Sequence, residues 1–217
     1  EFLMPIYTCR NTVNENKRQT IVNEYDLIPI SHIQLLPNQE KENCCGPALT
    51  DTYYVFSYKN KLNSEDIGYF NVGIHCAKDF LELTNKNELP LFNILTENNQ
   101  QNNNNVNNQN NIIQHNQRPI INRQLENAIN LFIACNNINP YGYFYKILNF
   151  VRTSHAITNY NSIIEVNRVI GTYNQTIPQI INALDNQYPN LRNFNFTELH
   201  NYITENNILQ NDNNLTV

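Results

Sequence analysis

Cys44, Cys45, His75 and Cys76 are the residues whose types and spacing can do chemistry in this chain. Cys44 and Cys45 open Cys44-Cys45-Gly46-Pro47, a turn by composition. His75 and Cys76 adjoin where a strand hands over to a helix. Thiolates and imidazoles are the donors zinc prefers, four in a tetrahedron, often as two pairs set on a turn and a helix start. A helix N-terminus also favours a thiolate at Cys76 through its exposed N–H groups. The same thiols admit a second chemistry, a cysteine nucleophile served by a distant histidine base. They also admit none: Cys44, Cys45 and Cys76 as small buried hydrophobes in an ordinary core.

The elements that must position these residues follow from the pattern between them. Thr52–Tyr58 is rich in aromatic and β-branched residues and predicts a strand. Lys59 to Gly68 is polar and predicts a hairpin loop, with Tyr69–Val72 returning and Gly73 ending it. Ala77–Leu83 predicts a short helix carrying Phe80, Leu81 and Leu83. Upstream, the β-branched residues of Thr20–Ile30 predict one or two short strands, and Pro29 and Pro37 exclude a long helix. Cys9 and His32 lie in this upstream part and can fold back toward the central stretch.

Asn98 to Gln117 is low in complexity, almost all Asn and Gln, and predicts a flexible linker because it has too little apolar surface to offset the entropy of ordering. Beyond it the apolar residues fall at helical spacing: Leu125, Ala128, Ile129 and Phe132; Phe144, Ile147, Leu148 and Val151; Ile163, Val166, Val169 and Ile170. Gly171 reads as a helix stop, Thr176 with Pro178 as a helix start, and Thr197 as the cap of a last helix. Cys135 beside such a stripe reads as an inert thiol. His155 and His200 read as loop or surface histidines. The expected architecture is α+β: a zinc-stabilised hairpin-and-helix domain over 4–96, a linker over 97–118 and an all-helical domain over 119–210.

Cys45-Gly46, the aromatic strand and Val72-Gly73-Ile74-His75-Cys76-Ala77 followed by Phe80-Leu81 resemble, in that order, small treble-clef-like zinc modules. The resemblance covers residues 44–83. It implies a structural zinc used in contacts with protein or nucleic acid, and no reaction. Where that pattern has its first cysteine this chain has Glu42, so the ligand set expected here is Cys44, Cys45, His75 and Cys76, with Cys9 or His32 as substitutes. Cys45-Gly46-Pro47-Ala48 also resembles the nucleophile turn of papain-like cysteine peptidases. That resemblance implies Cys45 as nucleophile and His155 as base.

The 217 residues carry a formal net charge of −5 and are 41% hydrophobic but only 15% charged. The acidic balance argues against a general phosphate-backbone binder, although Lys59, Lys61, Lys78, Arg118 and Arg123 are available for a local basic patch. No stretch has the roughly 20 apolar residues of a membrane span, so no membrane partner is expected. The start of the chain lacks the pattern of a signal peptide. Five cysteines, an odd number without the spacing of a disulfide scaffold, point to a reducing, cytoplasmic setting. The sequence therefore predicts a non-catalytic, zinc-binding interaction protein with a protein or nucleic-acid partner. Two alternatives stand beside it: the peptidase, and a metal-free α+β and helical interaction protein.

Overall fold

The computed structural model describes residues 9–12, 16–96, 118–140, 143–209 and 213–216. The fold is mixed α+β, with seven helices and two small antiparallel sheets among the described residues. The chain divides into two compact units, Glu1–Asn93 with Asn136–Tyr141 and Ile94–Cys135 with Gly142–Val217. Of the linker expected over 97–118, only Arg118 lies within the described residues.

In the first unit the elements run α1 (Lys17–Glu24), β1 (Tyr25–Gln34), β2 (Lys41–Asn43), β3 (Gly46–Leu49), β4 (Thr52–Asn60), β5 (Ile67–Val72) and α2 (Ile74–Leu83). The three-stranded sheet has the order β1-β4-β5, so β4 is central. Its residues Tyr53 to Tyr58 are all buried, as a strand covered on both faces requires. β4 and β5 form the expected hairpin, with Tyr54 opposite Val72 and Phe56 opposite Phe70. β1 occupies an edge and contains Pro29, and its register with β4 shifts between Pro29 and Ser31. Proline has no N–H to give the ladder, and edges and bulges are where a sheet accommodates it.

The sequence placed strands from Thr20 onward, but Thr20–Glu24 belongs to helix α1. The β-branched pair Ile21-Val22 is overridden by a local start signal and by packing. The Asn16 side chain accepts a hydrogen bond from the Gln19 backbone N–H, and Ile21 is buried in the core. That core is aromatic. Phe80 of α2 lies 5.8 Å from Phe56 and 5.5 Å from Phe70, ring centroid to centroid. Ala77, Phe80 and Leu81 form the buried face of α2, at the i, i+3, i+4 spacing of one helical stripe.

The second unit contains α3 (Ile120–Cys135), α4 (Tyr143–Thr153), α5 (Tyr160–Thr172), α6 (Ile177–Gln187) and α7 (Thr197–Glu205). Helix α3 packs against the other four and is buried along most of its length. Thr176 starts α6 through a capping box with Gln179. Two expected helix ends are corrected. Gly171 lies inside the last turn of α5, not beyond it. A Cβ there would stand 2.7 Å from the Asn214 amide nitrogen, so close approach explains this glycine. Thr197 is the first residue of α7, not its cap. The preceding Asn195 carboxamide accepts the Thr197 N–H at 2.8 Å.

Candidate metal and thiol site

Cys44 and Cys45 are the two-residue connection between β2 and β3, where Asn43 pairs with Gly46. The Asn43 side chain accepts the Cys45 N–H at 3.1 Å and donates to the Pro47 carbonyl at 3.0 Å, bracing the turn from both sides. Gly46 sits at φ +142°, a backbone conformation that a side chain disfavours. Cys44 enters the aromatic core and is only 8% exposed, while its N–H is held by the Asn71 carbonyl at 2.9 Å. Cys45 is half-buried at the edge of that core.

Cys76 is in the first turn of α2, which Gly73 precedes as the extended cap residue. Ala77, the next residue, is fully buried and anchors this turn to the sheet. From α1 the Arg18 side chain reaches across to α2. It donates a hydrogen bond to the Cys76 sulfur at 3.2 Å and forms an ion pair with Asp79, one turn further along the helix. Burial raises the Cys76 thiol above the ordinary cysteine range, the Arg18 guanidinium pulls it back, and Asp79 adds to the rise. Burial raises Cys44 as well.

Cys9, fully buried, completes the site. The sulfurs of Cys9, Cys45 and Cys76 all lie within 4.8 Å of one another, and among the described residues these three form the group with metal-binding spacing. Cys9 and Cys45 are paired as a disulfide with a Cα–Cα distance of 4.8 Å, across 36 residues of sequence. Cys44, Cys76 and Cys135 are not joined in a disulfide. Three cysteines from three separate segments, one ahead of α1, one in the β2–β3 turn and one in α2, thus converge on one end of the core.

The structure brings together Cys45 and Cys76 from the expected set and draws in Cys9, which the sequence offered only as a substitute. Cys44 and His75 stand outside the cluster. Cys44 faces the core, and His75, a helical step of about 100° from Cys76, is exposed. His32 is engaged elsewhere: its ring stacks on Tyr54 at 4.1 Å and its Nδ1 lies 3.1 Å from the Leu89 carbonyl oxygen. His155 is exposed in a bend of the second unit. Cys135 is half-buried, and burial raises its thiol to about 12, well out of reach of a nucleophile's range. Arg118 is buried and ion-paired to Glu126 at 2.7 Å, which withdraws it from the basic patch the sequence suggested. Sequence reasoning missed Arg18 and Asp79. Asp79 was open to discovery, since it stands three residues beyond Cys76 on the same helix face. Arg18 gave no local signal.

Fold and site define the class: a mixed α+β protein in which the segment ahead of α1, the β2–β3 turn and helix α2 each give one cysteine to a three-cysteine cluster. The family described as uncharacterised conserved protein UCP028583 matches residues 10–207, and the chain belongs to that family. No curated protein and no solved structure matches the chain. No helix among the described residues is long and apolar enough to cross a membrane.

Proposed function

We propose that the chain is a non-catalytic interaction protein whose first unit is fastened by a structural zinc held on Cys9, Cys45 and Cys76. One observation carries this reading: three sulfurs from three separate segments lie within 4.8 Å of one another. Zinc–thiolate bonds of about 2.3 Å in a tetrahedron put sulfurs about 3.8 Å apart, the same scale. Loading the metal requires the Cys9–Cys45 pair to be reduced. The donor chemistry suits the ion, since three thiolates carry one negative charge in excess of Zn²⁺, and the Arg18 guanidinium stands beside Cys76 to offset it. The position of Cys76 in the first turn of α2 favours its thiolate further. The set leaves one tetrahedral position to a further ligand.

A binding role is favoured over a peptidase because Cys45 lies in a hairpin turn rather than at a helix start, and its sulfur is joined to Cys9. A protein partner is favoured over nucleic acid because the first unit holds more acidic than basic residues and Arg118 is buried in an ion pair. Native mass spectrometry of the purified, reduced chain tests the metal reading. The expected result is a mass increment of one zinc ion, lost in Cys9→Ser, Cys45→Ser and Cys76→Ser and kept in Cys44→Ser and His75→Ala. Zinc lost in the last two and kept in Cys9→Ser would refute the assigned set.

A further inference from the structure

We propose that the cysteine cluster is a redox-gated staple, in which a thiol–disulfide reaction exchanges zinc for the Cys9–Cys45 disulfide while the scaffold around it stays in place. This rests on the zinc reading above and adds its regulation. The geometry that supports it is the coexistence, at one point, of a closed disulfide and a third thiol close enough to share a metal with both of its sulfurs. The three segments are already gathered, so passing between the two states asks for sulfur chemistry and no refolding. The same segment, the one bearing Cys9, is attached in either state: by zinc when reduced, by the covalent bond when oxidised.

The step balances with a low-molecular-weight disulfide, RSSR, as oxidant. One of the two thiolates, Cys9 or Cys45, attacks a sulfur of RSSR, forming a mixed disulfide and expelling RS⁻. The second thiolate attacks the protein sulfur of that mixed disulfide, forming the Cys9–Cys45 bond and expelling a second RS⁻. Two electrons pass from the cluster to RSSR, and zinc, having lost two of three thiolates, departs. Cys76 is the residue left over, and the structure shows what receives it: Arg18 holds its sulfur at 3.2 Å while bound to Asp79 on the same helix. Cys44 lies beside the Cys9 backbone but outside the three-sulfur group, and its burial in the aromatic core keeps it out of the exchange. Reduction by a dithiol runs the sequence backwards and restores the metal-binding set.

The experiment uses the full chain, reduced and loaded with zinc, titrated anaerobically with oxidised glutathione. Released zinc is read with a chromogenic chelator, and the bridges are mapped by non-reducing peptide mass spectrometry after alkylation. The expected result is release in proportion to glutathione disulfide consumed, one for one, with Cys9 joined to Cys45 and Cys76 recovered alkylated. Retention of zinc after oxidation would overturn the proposal, as would a bridge that includes Cys76 or Cys44, with the zinc reading left standing. A reduced chain that takes up no zinc at the outset would sink both. Arg18→Met provides a second variant that leaves all the cysteines intact. It is expected to hold zinc more weakly and to keep Cys9–Cys45 as the main bridge, with a minor share of products joined through Cys76 that the parent chain lacks; an unchanged product pattern would overturn the part given to Arg18.

Discussion

Opening the connection between Cys9 and Cys45 is the perturbation whose size follows most directly from the structure. The bond closes a loop 36 residues long that contains α1, β1 and β2. Cross-linking a loop of that length removes about 13 cal/mol/K from the unfolded chain, or about 4 kcal/mol near room temperature. Reduction in the presence of a metal chelator should therefore destabilise the first unit by about 4 kcal/mol without changing a residue, which avoids the cost of burying a serine hydroxyl at the fully buried position of Cys9. The assay is native-state amide hydrogen exchange. Amides of the central strand β4, such as Val55 and Phe56, exchange only when the sheet opens, so they should speed up by roughly several hundredfold on reduction. Rates that stay within a few-fold would refute the reasoning, because the cross-link would then contribute nothing against the unfolded state. Adding zinc to the reduced chain should restore most of the protection, since the metal refastens the same segment.

Other predictions rest on single residues. Phe80→Ala removes a fully buried ring from between Phe56 and Phe70 and should destabilise the first unit by about 3–5 kcal/mol in urea unfolding. Gly46→Ala forces a side chain onto φ +142° and should cost about 1–3 kcal/mol, with a weaker hold on zinc because Cys45 is displaced. In the second unit, burial raises the Glu126 carboxyl, but Arg152 at 2.9 Å and Arg118 at 2.7 Å overcome it and hold the folded-state value below the ordinary 4.5. A lowered carboxylate contributes stability that is present above its unfolded pKa and is lost as pH falls through the folded one. Glu126→Gln, which removes the carboxylate charge shared by buried Arg118 and partly buried Arg152, should therefore cost about 3–5 kcal/mol at neutral pH. That difference from the parent chain should shrink in thermal unfolding only below the normal glutamate range. A constant difference down to pH 2 would contradict the assigned charge network.

The parts of this fold that are local were legible in the sequence. The β4–β5 hairpin announced itself through its aromatic and β-branched residues, and α5 and α6 through their spacing and, for α6, Thr176 with Pro178 at its start. Helix α1 was misread, because Ile21-Val22 favours a strand by propensity, and it takes the Asn16 cap together with burial of Ile21 in the core to make the segment helical. The same distinction runs through the site. The turn that holds Cys45 and the helix that holds Cys76 could be read from composition, since Gly46 and Gly73 mark both. Which sulfur faces which could not. Which of two adjacent cysteines in the turn reaches the Cys9 sulfur depends on the register of β2 on β3, and nothing near Cys9 or Arg18 records that each meets α2 or the turn dozens of residues later. Long-range convergence is set by packing, and a single sequence carries packing only as a list of apolar residues.

Zinc-edge X-ray absorption on the reduced, metal-loaded chain counts the sulfur neighbours of the ion itself. If Cys9, Cys45 and Cys76 hold the zinc, the ion has three sulfurs at about 2.3 Å and one lighter neighbour. A shell of nitrogen and oxygen alone, or a fourth sulfur that would bring Cys44 into the site, would contradict that ligand set.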